Sequence, residues 1–135
     1  IESIQTYSLQ PVKLLKEEKP RQLQTESPFR FHIPQHYEES QDYFKDFQTF
    51  FKQQFNENIA KGIDYFEGED KLLFSYYLYD NGWKNYLRVC NLAFETLVLE
   101  LIAEGDAIGY HTFTLLNDQL IFVKDKIKLV IYEKL

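Results

Sequence analysis

Three histidines, one cysteine and a tight acidic cluster are the residues of this chain whose chemistry has to be weighed first. "HIPQH" places His32 and His36 four apart, the spacing of two zinc ligands on one helix face. Pro34 between them favours extended backbone, and the His-Glu-x-x-His pattern is missing, so neither these histidines nor the nearby Glu38 and Glu39 read as a metal site. His111 follows Tyr110 in a β-rich run with no Ser, Cys or carboxylate at a diagnostic spacing, and reads as a structural or surface histidine. Cys90 falls on an apolar stripe, where a thiol packs as a small hydrophobe. Glu67, Glu69 and Asp70 crowd one short turn. Acid-base hydrolysis needs two carboxyls held apart across a cleft, whereas three in one turn are solvated together, and "EGED" lacks the EF-hand pattern. Five glycines in all leave no phosphate-cradling loop or dinucleotide fingerprint. The expectation is a non-enzymatic chain with no catalytic, cofactor or metal residues.

Charge gives the positive indication. The formal net charge is -6, but residues 38–106 hold fourteen acidic against six basic side chains, while the flanking segments are close to balance. Such a body repels a phosphate backbone and steers a cationic protein toward itself. Tyr77 and Tyr79, with the acidic turn Glu67, Glu69 and Asp70, are therefore the expected contacts to a basic protein partner, as in a small inhibitor or immunity-type protein. The alternative is a structural subunit of a homo- or hetero-oligomer, a homodimer in its simplest form, joined through Leu92 and Leu99.

These residues need a scaffold, and 135 residues suffice for one domain with a sizeable core. At 44% hydrophobic and 17% aromatic the chain has the profile of a packed globular protein. No run approaches the roughly 18 apolar residues of a membrane span. One cysteine and no Asn-x-Ser/Thr sequon point to a cytoplasmic location, and a chain that begins at Ile1 without any Met is expected to have lost its natural start.

All four prolines lie in residues 1–37, which read as an extended arm over the domain, anchored by Phe29, Phe31 and Ile33. Within it "IESIQTYSLQ" suits an edge strand and "VKLLKEEK" two helical turns. From Ser40, apolar residues at Phe44, Phe47, Phe51, Phe55 and Ile59 predict an amphipathic helix of about 21 residues ending near Gly62. "GIDYF" and "KLLFSYYLYD" predict a hairpin across "EGED". Trp83, Tyr86, Leu87, Cys90, Phe94, Leu97, Val98 and Leu101 fall on a helical stripe, so Asn81-Gly82 is read as the start of a second helix over Gly82 to Glu104, with Leu92 and Leu99 on its apolar flank. Three β-rich runs separated by Asn117-Asp118 and Asp125-Lys126 complete a meander. The predicted fold is α+β: a mostly antiparallel sheet with two amphipathic helices packed on one face, in the order helix, hairpin, helix, three-stranded meander. A Pro-containing arm precedes this single 38–135 domain.

Overall fold

The computed structural model describes residues 3–9, 12–18 and 31–133. The described residues are mostly β with a single helix, which overturns the two-helix architecture. The chain forms two compact units, one from residues up to Ile33 together with those from Thr112 on, the other from Pro34 to His111. No helix among the described residues is long and apolar enough to cross a membrane.

The first unit is a six-stranded sheet of β1 (Ser3–Leu9), β2 (Val12–Glu18), β3 (Phe31–His32), β9 (Phe113–Leu116), β10 (Gln119–Lys124) and β11 (Lys128–Glu133), ordered β2-β1-β11-β10-β9-β3. β1 runs parallel to β11 and antiparallel to β2, so it lies inside the sheet and is not an edge. "VKLLKEEK" supplies β2 instead of helical turns. Phe31 and Ile33, expected as anchors, are 56% and 53% exposed, and Phe29 lies outside the described residues. The turns at Asn117-Asp118 and Asp125-Lys126 take positive φ at both residues, the geometry that matches the twist of a tight hairpin. Phe113, Leu115, Leu120, Phe122, Val130 and Tyr132 are the buried side chains of β9 to β11.

The second unit is a five-stranded antiparallel sheet, β4 (Gln35–Glu38), β5 (Gly62–Glu67), β6 (Lys71–Tyr79), β7 (Trp83–Asn91) and β8 (Thr96–Gly105), in the order β4-β5-β6-β7-β8, with the helix α1 (Asp42–Phe55). α1 exists because Phe44, Phe47, Phe51 and Phe55 recur on one face while Lys45, Asp46 and Lys52 are exposed off it; Gln48 lies on the buried side, where its amide donates to Ile59 O (3.1 Å). It stops earlier than Gly62. Asn56 enters the left-handed region at φ 54, its N–H returning to Lys52 O (3.2 Å), the αL cap that an Asn tolerates, and the N–H of Glu57 reaches Phe51 O (3.3 Å). Phe44 and Phe51 close on Ile59, Ile63, Leu72, Phe74, Tyr76 and Cys90, a core built largely of edge-to-face aromatic contacts. Cys90 is fully buried there, on β7, and burial pushes its thiol up, away from the reactive thiolate.

Where a second helix was expected there is the β7–β8 hairpin. Asn81 (φ 55) and Gly82 (φ 135) turn the chain between Tyr79 and Trp83, which face each other as Cα partners. Two physical causes disguised these strands. Leu73 and Ser75 on β6, and Leu87 and Val89 on β7, are fully buried on the sheet face opposite to that of Phe74 and Tyr76, so both faces carry large side chains and no alternation survives. The β7–β8 register also shifts twice, between Asn85 and Tyr86 and between Val89 and Cys90; each shift flips inside and outside by one residue and breaks a period of two into something resembling a period near 3.6.

Two charged side chains, Asp64 and Arg88, are buried among the described residues of this unit. Arg88 of β7 donates to Glu57 Oε1 (2.8 Å), to the Tyr76 hydroxyl (3.2 Å) and to Thr96 Oγ1, and its guanidinium lies 3.8 Å from the Phe55 ring centre. Tyr76 in turn donates to the same Glu57 oxygen (3.0 Å). The residues that follow α1 are thereby tied to the middle of the sheet.

Candidate functional site

The β5–β6 turn holds the acidic cluster. Gly68 N–H bonds Lys71 O (2.8 Å), and a Cβ on Gly68 would meet that oxygen at 3.3 Å, so the tightness of the turn and the glycine go together. Glu67, Glu69 and Asp70 are exposed, with Asp70 in an ion pair with Lys71 (3.1 Å). Because β6 pairs with β7 from Lys71 opposite Asn91, the β7–β8 loop comes to the same end of the sheet. That loop is ordered by Asn91, whose Oδ1 accepts from the N–H groups of Ala93 (3.0 Å) and Glu95 (2.9 Å), while Phe94 takes φ 65. Leu92 is 56% exposed. Phe94 is 39% exposed and leans edge-on against Phe50 of α1, with ring centres 5.0 Å apart. The outcome is an apolar spot, Leu92 with Phe94, on the same end as four exposed carboxylates: Glu67, Glu69, Asp70 and Glu95.

The other expected contacts are distributed differently. Leu99, 48% exposed, lies on β8 opposite Arg88 and not on a helix flank. Tyr79 is at the far end of the sheet, 68% exposed, with its ring edge-on to Trp83 at 5.1 Å and Lys61 Nζ 5.7 Å from the Trp83 ring centre. Tyr77 is buried. Its hydroxyl accepts from Gly109 N–H (2.7 Å) and donates to Gly109 O (3.2 Å), and burial raises its pKa. Glu95 was not singled out by sequence reading and Phe94 was placed on the apolar stripe of the expected helix over Gly82 to Glu104, which puts both far from the acidic turn.

A second constellation was also not legible. His36 Nδ1 and Asp64 Oδ1 are 2.7 Å apart across β4 and β5, with their side chains 10% and 2% exposed. The Tyr110 ring covers the imidazole at 4.2 Å, and its hydroxyl donates to Glu38 Oε1 (3.2 Å). A methyl group on Gly62 would press on His36 Cε1 at 3.1 Å, so the imidazole edge fills the space that glycine leaves. An Asp-His pair can orient a general base. Here the ring is closed in by Tyr110 and Gly62, the arrangement of a packed polar bridge between two strands.

The tyrosines set an alkaline limit on this unit. Burial, helped by the Glu67 carboxylate and then Tyr37, pushes the Tyr65 phenol up to about 12, and burial raises Tyr76 further in spite of Arg88. A folded-state pKa above the ordinary value of about 10 means that the native state holds the proton longer than the unfolded chain, so stability is retained below that value and falls as pH climbs from about 10 to 12. Urea unfolding midpoints that decline across this window, with late tyrosine ionisation in ultraviolet titration, are the expected result. A flat profile would show that these phenols are not desolvated.

Comparison of the chain with family models, with curated proteins and with solved structures gave no match.

Proposed function

We propose that this chain is a non-enzymatic protein-interaction domain that holds a basic protein partner at the end of the sheet carrying the β5–β6 and β7–β8 turns. The observation that carries the reading is the pairing of Lys71 with Asn91, which brings exposed carboxylates and an exposed Leu-Phe spot to one end. Interfaces of this kind use apolar anchors for affinity and a charged rim for encounter rate and partner choice. Both halves are supplied by short, internally hydrogen-bonded turns on a stiff sheet, so little ordering cost is left for binding. A small inhibitor or immunity-type protein that masks a cationic target would use such a surface. The exposure of Leu92 and Leu99 favours, as a second reading, assembly with another copy through the same apolar residues.

The test is capture of partners from a lysate of the source organism at low and high salt, with the bait's mass followed by light scattering. The expected partner is basic and released by salt. Replacing Glu67→Gln, Glu69→Gln and Asp70→Asn together lowers its affinity about tenfold or more, mainly through a slower association rate, and leaves the unfolding midpoint in place. An affinity unchanged by the triple replacement would remove the acidic turn from the interface. A salt-insensitive dimer that captures no partner would favour the second reading.

A further inference from the structure

Residues 106–111 follow β8, belong to no helix or strand, and reach back over β4, β5 and β6 as a strap. Side chains hold it there. The Tyr77 hydroxyl accepts from Gly109 N–H (2.7 Å) and donates to Gly109 O (3.2 Å), the Tyr110 ring lies 4.2 Å from that of His36, and the Tyr110 hydroxyl donates to Glu38 Oε1 (3.2 Å). An exposed segment fastened in this way opens at much lower cost than the sheet beneath it.

Under the strap lies a ring nitrogen with nothing to bond. His36 Nδ1 is committed to Asp64 at 2.7 Å, whereas Nε2 is buried with no hydrogen-bond partner among the described residues. The space beside Gly62 shows what that edge of the imidazole meets: a methyl group there would touch His36 Cε1 and Nε2 at 3.1 and 3.4 Å and Ile108 Cδ1 at 3.3 Å. A neutral imidazole that donates from Nδ1 leaves Nε2 as a bare acceptor, a modest cost in apolar surroundings. A second proton changes the balance, because it puts the N–H of a cationic ring where no acceptor waits, and an unmet charged donor is the more expensive group to bury.

We propose that His36 makes the strap a pH-operated latch, closed while the imidazole is neutral and released when Nε2 gains a proton. The titratable groups around the ring are Asp64 from β5 and Tyr110 from the strap, with Glu38 of its own strand reached through the Tyr110 hydroxyl and Tyr77 of β6 beneath Gly109. Asp64 attracts the imidazolium and keeps the ring on β5, so the ring does not swing out to meet water. Tyr110 attracts it through its aromatic face, but a face supplies no acceptor to an N–H lying in the imidazole plane. The remaining way to hydrate that N–H is to lift Ile108 and Tyr110, which gives up the bonds at Gly109. Release uncovers His36 and Tyr77 on the sheet. The inference is independent of the basic-partner reading, since none of these groups belongs to the acidic turn.

The experiment follows amide hydrogen exchange of the whole chain by NMR from pH 8 to pH 5, the window in which an ordinary imidazole titrates, each rate being divided by the intrinsic rate at that pH. Protection of the Gly109 amide is expected to fall at least tenfold on acidification while the amides of β6 and β7 keep theirs. Its midpoint should coincide with the titration of the His36 ring nitrogens. His36→Gln, which retains a donor for Asp64 and cannot take up the proton, should give a flat profile, and His111→Gln should leave the fall in place. Gly109 protection that holds or rises toward pH 5 overturns the latch, since the Asp64 pair would then fasten the strap more tightly. A fall that persists in His36→Gln, or whose midpoint departs from the His36 titration, also overturns it by assigning the opening to another group. The wild-type midpoints decide the question even where His36→Gln does not fold.

Discussion

Phe51→Ala is expected to destabilise this protein by about 3–5 kcal/mol, the range for truncating a large aromatic side chain in a packed core. Phe51 is fully buried, and its ring lies within 5.7 Å, centre to centre, of Phe50, Phe55, Phe74 and Tyr76. It is the point at which the single helix is fastened to β6. The cavity left by truncation is walled by rigid rings that cannot collapse into it, which places the cost toward the upper part of that range. Exposed positions on the same helix give the contrast. Tyr43→Ala, at a residue 67% exposed, is expected to change the urea midpoint little. If Phe51→Ala cost less than about 1 kcal/mol in urea unfolding, the docking of α1 on β6 would be wrong.

Arg88→Met is expected to cost about 3 kcal/mol, the low end for removing one partner of a buried ion pair. Arg88 and Glu57 are 9% and 19% exposed, so water reaches the stranded Glu57 carboxylate in part, and Tyr76 remains as its donor. The loss also includes the cation over the Phe55 ring and the bond to Thr96. Glu57→Gln is the informative companion. It leaves Arg88 with two hydroxyl partners but without its counter-ion, and it should destabilise less, because a guanidinium is more weakly hydrated than an ammonium and already rests on an aromatic face. Urea midpoints for both single variants and for the double variant give the coupling directly. Additive losses would show that the two side chains do not interact.

These two residues also separate what was readable in the sequence from what was not. The phenylalanine spacing of α1 identified a helix and its buried face, because an isolated amphipathic pattern follows from backbone geometry and needs no partner to be recognised. Its end was misjudged, since Ile59 continues the apolar pattern and is 2% exposed after the chain has already left the helix at Asn56. Arg88 gave no sign of being buried. Its partner Glu57 is 31 residues away, and nothing local marks a charge that will be paired across a fold.

Sequence alone determined the buried phenylalanines of α1, the β5–β6 hairpin with its acidic turn, the two turns of positive φ between β9 and β11, and the acidic imbalance of residues 38–106. Each of these depends on composition or on neighbours a few residues apart. Tertiary structure decided the rest: β1 next to β11, the β7–β8 hairpin where a helix was expected, the meeting of Leu92 and Phe94 with Glu67, Glu69 and Asp70, and the burial of Tyr77. The physical reason is common to all four. Strand pairing and burial are set by residues distant in the chain, and where both faces of a strand are covered and its register shifts, the alternation that would announce it is erased.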